Sequence, residues 1–153
     1  MNNEAVNMPR TKEMILTFIR TRGPSIPVHI SQYIKTSPLF ASAFLSELYR
    51  EQKLLMSDLK VGSTCLYLLP GQEQMLENFT QYLNQKENEA FQLIKKEKML
   101  EDSKLPPAIR VAMREIKDFA IPLKVKSEND EKLFWKYAFL SEEEIESILE
   151  NKP

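Results

Sequence analysis

One cysteine, one histidine and three glycines in 153 residues remove several classes of protein at once. A lone Cys65 cannot build an internal disulfide framework, and such sparing use of thiols fits a reducing cytoplasm. With His29 as the sole histidine and Cys65 the sole cysteine, neither a His/Cys zinc site nor a Cys–His nucleophile pair is well supported. The composition therefore predicts a noncatalytic protein with no metal and no cofactor. Gly23, Gly62 and Gly71 are scattered, each at an expected turn or helix boundary, and form no phosphate-cradling loop. No apolar run approaches the ~20 residues a membrane-spanning helix requires. The opening Met1–Pro9 is polar, lacks the apolar core of a secretory signal, and reads as a flexible tail. A formal net charge of −1 excludes a polycation that coats nucleic acid without selection.

What remains is ordinary globular material, 42% hydrophobic and 28% charged, long enough for one typical domain or two very small ones. Charge is unevenly spread. Residues 1–72 hold eight Lys or Arg against five acids, whereas residues 73–153 hold 13 against 17. Glu142, Glu143 and Glu144 fall in the first turn of an expected helix, where acids suit the helix dipole. Cys65 sits in the apolar run Cys65-Leu66-Tyr67-Leu68-Leu69 and reads as a core thiol. Trp135, in Leu133-Phe134-Trp135-Lys136-Tyr137, reads as a packing residue rather than part of a ligand box. His29 opens a short apolar-patterned helix and reads as a capping or packing residue.

Residues 37 to 69 form one recognisable unit. Ser37 is placed to cap a helix running to Arg50, and Pro38 suits its first position, where a missing N–H costs nothing. Leu54–Leu59 and Thr64–Leu69 read as two strands joined by the turn Lys60-Val61-Gly62-Ser63. Upstream, Met14–Arg22 is helix-like and ends at Gly23-Pro24, and Pro27/Val28–Ile34 is a shorter helix. Through Ala41, Ser42, Leu45, Ser46 and Leu48, then Leu55, Gly62 and Tyr67, this stretch resembles the winged helix-turn-helix DNA-binding superfamily. That resemblance implies a three-helix core, a helix from Ser37 offered to a DNA groove, and a hairpin wing.

The second half repeats the order. Shifted by 68 residues, Pro106 falls on Pro38, Glu115 on Glu47, Ile116 on Leu48 and Leu123 on Leu55. Pro106–Asp118 is helix-like, Ala120–Val125 and Lys132–Phe139 strand-like, and Lys126–Glu131 a polar turn between them. Lys98–Ser103 is the candidate short second helix. Gln72–Lys96 carries Met75, Leu76, Phe79, Leu83, Phe91 and Ile94 as the apolar stripe of one long helix. The expected fold is mainly α with small β-hairpins (α+β), as two winged helices in tandem. Its parts are a tail at 1–9, a first domain at 10–71, a connecting helix at 72–96 and a second domain at 97–153. The alternative is a single winged helix with a long dimerisation helix and a C-terminal α+β appendage.

In both halves one helix face is apolar at helical spacing: Ala41, Leu45 and Leu48, then Ile109, Ala112, Met113 and Ile116. The opposite faces differ. The first offers Ser42, Ser46 and Tyr49; the second offers Arg110, Arg114 and Lys117, three cations on one stripe with Glu115 and Asp118 nearby. Arginine can bond a guanine edge bidentately or grip a phosphate. Lys35 and Lys60 flank the first helix, and Lys124, Lys126, Lys132 and Lys136 lie on the second hairpin as backbone contacts. Arg10, Lys12, Arg20 and Arg22 are further peripheral cations. The expected partner is duplex DNA, bound by a transcription regulator or chromatin-associated factor of the cytoplasm or nucleoid, with a homodimer or a protein partner as a further expectation. The second reading is a protein-interaction adaptor, favoured by Phe40 and Phe44 on the first helix and by the acidic second half.

Overall fold

The computed structural model describes residues 7–150 and divides after Tyr82 into two compact units. The architecture is α+β, mainly helical, with two small antiparallel sheets.

The first unit opens with α1 (Met8–Arg22), capped by the Asn7 side chain, which accepts from the Arg10 N–H. Residues 7–9 are therefore ordered into a helix start, contrary to the expected tail. Pro9 is tolerated because the first turn has no intrahelical N–H bond to lose. Residues 1–6 of that tail lie outside the described residues. Helix α1 stops at Gly23, whose φ of +91° only glycine adopts freely, and where a Cβ would meet the Met75 Cε at 2.7 Å. The chain then runs extended through Ser25, which exchanges two backbone hydrogen bonds with Tyr67 (2.9 and 2.8 Å). Helix α2 (Pro27–Ile34) follows, then α3 (Pro38–Arg50). Ser37 caps α3 by accepting from the Phe40 N–H, a contact worth about 1 kcal/mol.

Strands β1 (Leu55–Val61) and β2 (Thr64–Leu68) follow as a hairpin. The expected four-residue turn is narrower, Gly62-Ser63, and Lys60 lies within β1. Between Met56 and Lys60 the register shifts, and the buried Ser57 hydroxyl fills the break: it accepts from the Leu66 N–H (2.8 Å) and donates to the Leu59 carbonyl (2.6 Å). The core gathers Ile15, Ile19, Ile30, Ala41, Leu45, Leu48 and Leu54, all essentially fully buried, with Cys65 half-buried against it. Each such aliphatic side chain larger than alanine contributes about 1.5–3 kcal/mol through burial.

The single long helix expected at 72–96 is two elements. Glu73–Tyr82 is 3-10 helix broken at Phe79 (φ −115°, ψ 15°), and α4 (Gln85–Glu97) starts afresh behind Asn84. Asn84 and Glu87 form a reciprocal capping box, a start signal strong enough to interrupt a continuous apolar stripe. The expected helix at Lys98–Ser103 is also corrected. Lys98 takes a positive φ of 71°, Met99–Glu101 is strand β3, and only Asp102–Lys104 is a 3-10 turn.

Helix α5 (Pro107–Glu115) and the hairpin β4 (Ala120–Ser127) and β5 (Asp130–Tyr137) complete the second sheet, ordered β3-β5-β4. Pro122 is accommodated because β4 is an edge strand. The turn is Glu128-Asn129, shorter than the expected 126–131. Helix α6 (Glu142–Glu150) ends the described chain. Ala90, Phe91, Ile94, Ala112, Met113, Ile116, Phe119 and Trp135 form this unit's core, whereas Ile109 is only half-buried. Each unit thus runs helix, extended segment, short helical element, helix, hairpin, with the extended segment paired to the last strand. In the first that segment is one bridge at Ser25; in the second it is β3.

Candidate nucleic-acid interface

Helix α3 buries Ala41, Leu45 and Leu48, and so must present the opposite side to water. That side is a stripe of Leu39, Ala43, Ser46 and Arg50, flanked by half-buried Ser42 and exposed Tyr49. Leu39, Ala43 and Arg50 are additions to the sequence reading; their i, i+4, i+11 spacing from Leu39 was the available signal. Ser46 is exposed, and its side chain lies near the phenol of Tyr67 of β2. Burial pushes the Tyr67 phenol above its ordinary value, with Cys65 adding to the rise and Ser46 opposing it.

Glu47, the acid that would repel phosphate, is tied to α1. Lys12 Nζ lies 3.3 Å from Glu47 and 2.9 Å from Glu51. The hydrogen bond to Glu51 raises the Lys12 ammonium above its usual value against a small cost of burial, and the same bond lowers Glu51. Lys12 is therefore spent inside the protein and is no phosphate grip. Arg22 stacks over Phe18, its guanidinium 5.3 Å from the ring centroid. Lys35 caps α2 in the left-handed region (φ 57°) and is exposed, as is Lys60 in β1.

The second unit disposes of its cations differently. Arg110 and Arg114, expected on an open solvent face, converge on Asp102, which is buried. Arg110 donates through Nε (3.2 Å) and Nη2 (2.9 Å) to Oδ2. Arg114 donates to Oδ1 (2.9 Å) and Oδ2 (3.1 Å), and also to the Arg110 carbonyl. Trp135 Nε1 completes the set at 2.9 Å from Oδ1, and the Arg114 guanidinium lies 5.5 Å from the indole centroid. Burial raises the Asp102 carboxyl, but hydrogen bonds from Arg114, Trp135 and Arg110 outweigh it and bring it down to about 2. The Arg114 guanidinium is raised by the same bond to Asp102, with its slight burial opposing.

Both arginines keep outer surface, with side chains 43% and 45% exposed. One carboxylate between two guanidiniums leaves a net positive cluster. Lys117 is exposed and, with Arg114, Ala120, Ile121, Pro122 and Trp135, lines an open cavity of about 460 Å³. Lys124 and Lys126 are exposed on β4, each 4.0 Å from Glu131, a spacing that contributes little at the surface. His29 is exposed, not packed, and Trp135 is buried.

Among the described residues, no helix is long and apolar enough to cross a membrane. No family model and no curated protein matches the chain. Among solved structures, the hypothetical protein PyrSV_gp04 from Pyrobaculum spherical virus aligns over 83% of this chain and 94% of its own, at 17% identity and a TM-score of 0.41, a likeness that carries no functional inference.

Proposed function

We propose that the chain is a noncatalytic DNA-binding protein, a transcription regulator or chromatin-associated factor, built from two winged helices, with α3 as the reading helix. The observation that carries this reading is the outward stripe of α3: Leu39, Ala43, Ser46 and Arg50 include no acid, and Glu47 beside them is held by Lys12. Ala and Leu side chains suit thymine methyl groups in the major groove, and a serine hydroxyl bonds either a donor or an acceptor on a base edge. Lys35, Arg50 and Lys60 flank the stripe as phosphate contacts, which set position rather than sequence. The repeated order of elements, with an extended segment paired to the last strand in each unit, supports the winged-helix assignment. In the second unit Arg110 and Arg114 serve Asp102 first, so α5 is the weaker groove contact.

A salt-titrated binding experiment on duplex DNA tests this. Three phosphate contacts predict a log–log slope of about −3. Ala43→Glu with Ser46→Glu, both at exposed positions, should lower affinity by on the order of a hundredfold, as like charge meets the backbone. Flat salt dependence or an unaffected double variant overturns the reading. One observation favours a second reading, a protein-interaction adaptor: Leu39 and Phe40 are 77% and 56% exposed at the start of α3. Salt-insensitive binding of a protein partner, lost on Leu39→Ala and Phe40→Ala, is its signature.

A further inference from the structure

The second unit carries two partly uncovered apolar surfaces of opposite charge. The first is the outer face of its sheet. Directly paired residues of β4 and β5 share a side: Ile121 with Lys136, Leu123 with Phe134, Val125 with Lys132. Trp135 and Tyr137, at the alternate positions of β5, are buried in the core, so the Ile121 set faces the other way. Ile121, Leu123 and Val125 are 39%, 36% and 49% exposed. The charges on this face are Lys132 and Lys136, with Glu101 across on β3 taken up by Ser103 and Lys104, and Asp130 at the hairpin tip opposite Ser127.

The second surface is α6. Ile145, Ile148 and Leu149 fall on one stripe, yet no residue of the helix is buried and Leu149 is 64% exposed. Ser147 apart, the rest is acid: Glu142, Glu143, Glu144, Glu146 and Glu150, with no Lys or Arg. Its start is anchored. Ser141 and Glu144 cap it reciprocally, and Lys98 Nζ sits 3.4 Å from Glu144. Burial opposes but does not cancel the lowering of Glu144 by its hydrogen bonds with Ser141 and by Lys98. The helix is thus held at its first turn while its apolar stripe is only partly covered, Ile145 and Ile148 half-buried and Leu149 exposed.

We propose that α6 of one chain docks on the outer sheet face of a second copy of this chain and receives that copy's α6 on its own sheet in return. An acidic helix with an apolar stripe matches an apolar sheet face whose available charges, apart from Asp130 at the hairpin tip, are Lys132 and Lys136. Because both surfaces belong to one unit, a two-fold pair covers both at once, whereas a partner matching either alone leaves the other bare. Two reciprocal contacts also double the buried area toward the ~1,200–2,000 Å² of stable interfaces.

Charge reversal on full-length protein, without nucleic acid, tests the inference separately from the DNA reading. By sedimentation velocity across micromolar concentrations the native chain should populate a dimer. Glu143→Lys/Glu146→Lys/Glu150→Lys places lysines against lysines, and Lys132→Glu/Lys136→Glu places acids against acids; each alone should weaken the dimer by on the order of tenfold or more. Mixed in equal amounts, the two variants present matched charges at both contacts and should regain the native association. Circular dichroism confirms that each is folded; should either fail, Val125→Glu with Leu149→Glu, at exposed positions, should likewise yield a monomer. A native chain that stays monomeric, a mixture that fails to associate, or a dimer indifferent to every one of these changes overturns the proposal.

Discussion

Helices α3 and α5 share a core spacing and spend their polar side chains in opposite ways. On α3 the acid that would repel a phosphate backbone is paired: Glu47, its side chain still 35% exposed, is held by Lys12, and the outer stripe keeps only neutral groups and Arg50. On α5 the residues that promised DNA binding are the ones drawn inward, Arg110 and Arg114 closing on a buried carboxylate. A stripe of cations at helical spacing is therefore not by itself a free electropositive face. What decides is whether an acid elsewhere in the fold is desolvated and must be met. Asp102 is such an acid, since an unpaired carboxylate at that depth would cost several kcal/mol.

The largest test of this contrast is Asp102→Ala. It strands two guanidiniums and the Trp135 N–H, and should destabilise the second unit by about 3 kcal/mol, while the first unit is unaffected. Trp135 is the sole tryptophan, so urea unfolding followed by its fluorescence reports the second unit selectively. An unchanged midpoint would reduce the cluster to an incidental surface pairing. By the same logic Arg110→Ala with Arg114→Ala should not leave folding intact, as an open solvent face would have allowed.

Acid should separate the units next. The Asp102 carboxyl is depressed to about 2 in the folded state, so its contribution is complete above its ordinary range and lost as pH falls. Between about pH 4 and pH 2 the second unit should lose about 1–2 kcal/mol, the lower figure reflecting the half-exposed guanidiniums. Tryptophan-monitored stability measured against pH should show this loss, and Asp102→Asn should flatten it. A slope that survives in Asp102→Asn belongs to other carboxylates.

The smallest expected effect falls on the first unit. Lys12→Met frees Glu47, and leaves Glu51 only the distant Lys53 at 4.0 Å, at the flank of α3 without disturbing the core. Melting temperature should hardly move, while duplex affinity falls a few-fold through restored repulsion. A large loss of stability with no change in affinity would mean that Lys12 braces the helices rather than masks an acid.

The spacing of Ala41, Leu45 and Leu48, and of Ala112, Met113 and Ile116, was enough to name the buried sides of both helices, because a helix repeats every 3.6 residues whatever surrounds it. Ser37, Gly23 and the Gly62 turn were legible for a similar reason: capping and positive φ are local requirements. The break at Asn84 was also written locally, as Asn84 and Glu87 with the spacing of a capping box, but the apolar stripe running through it suggested one helix. Lys98–Ser103 misled because its composition tolerates a helix, while pairing with Phe134, Trp135 and Lys136 made its first part a strand. Strand formation there depends on a partner more than thirty residues away in the chain.

The sequence by itself determined the caps, the turns and which side of each helix is apolar, since these follow from interactions within a few residues. Tertiary structure alone decided where the long charged side chains went. Asp102 meets Arg110 and Arg114 from 8 and 12 residues away and Trp135 from 33, and Lys12 meets Glu51 from 39. An arginine or lysine has enough rotatable bonds to leave the face its Cα assigns it. Only the packed position of a desolvated or neighbouring acid selects its direction.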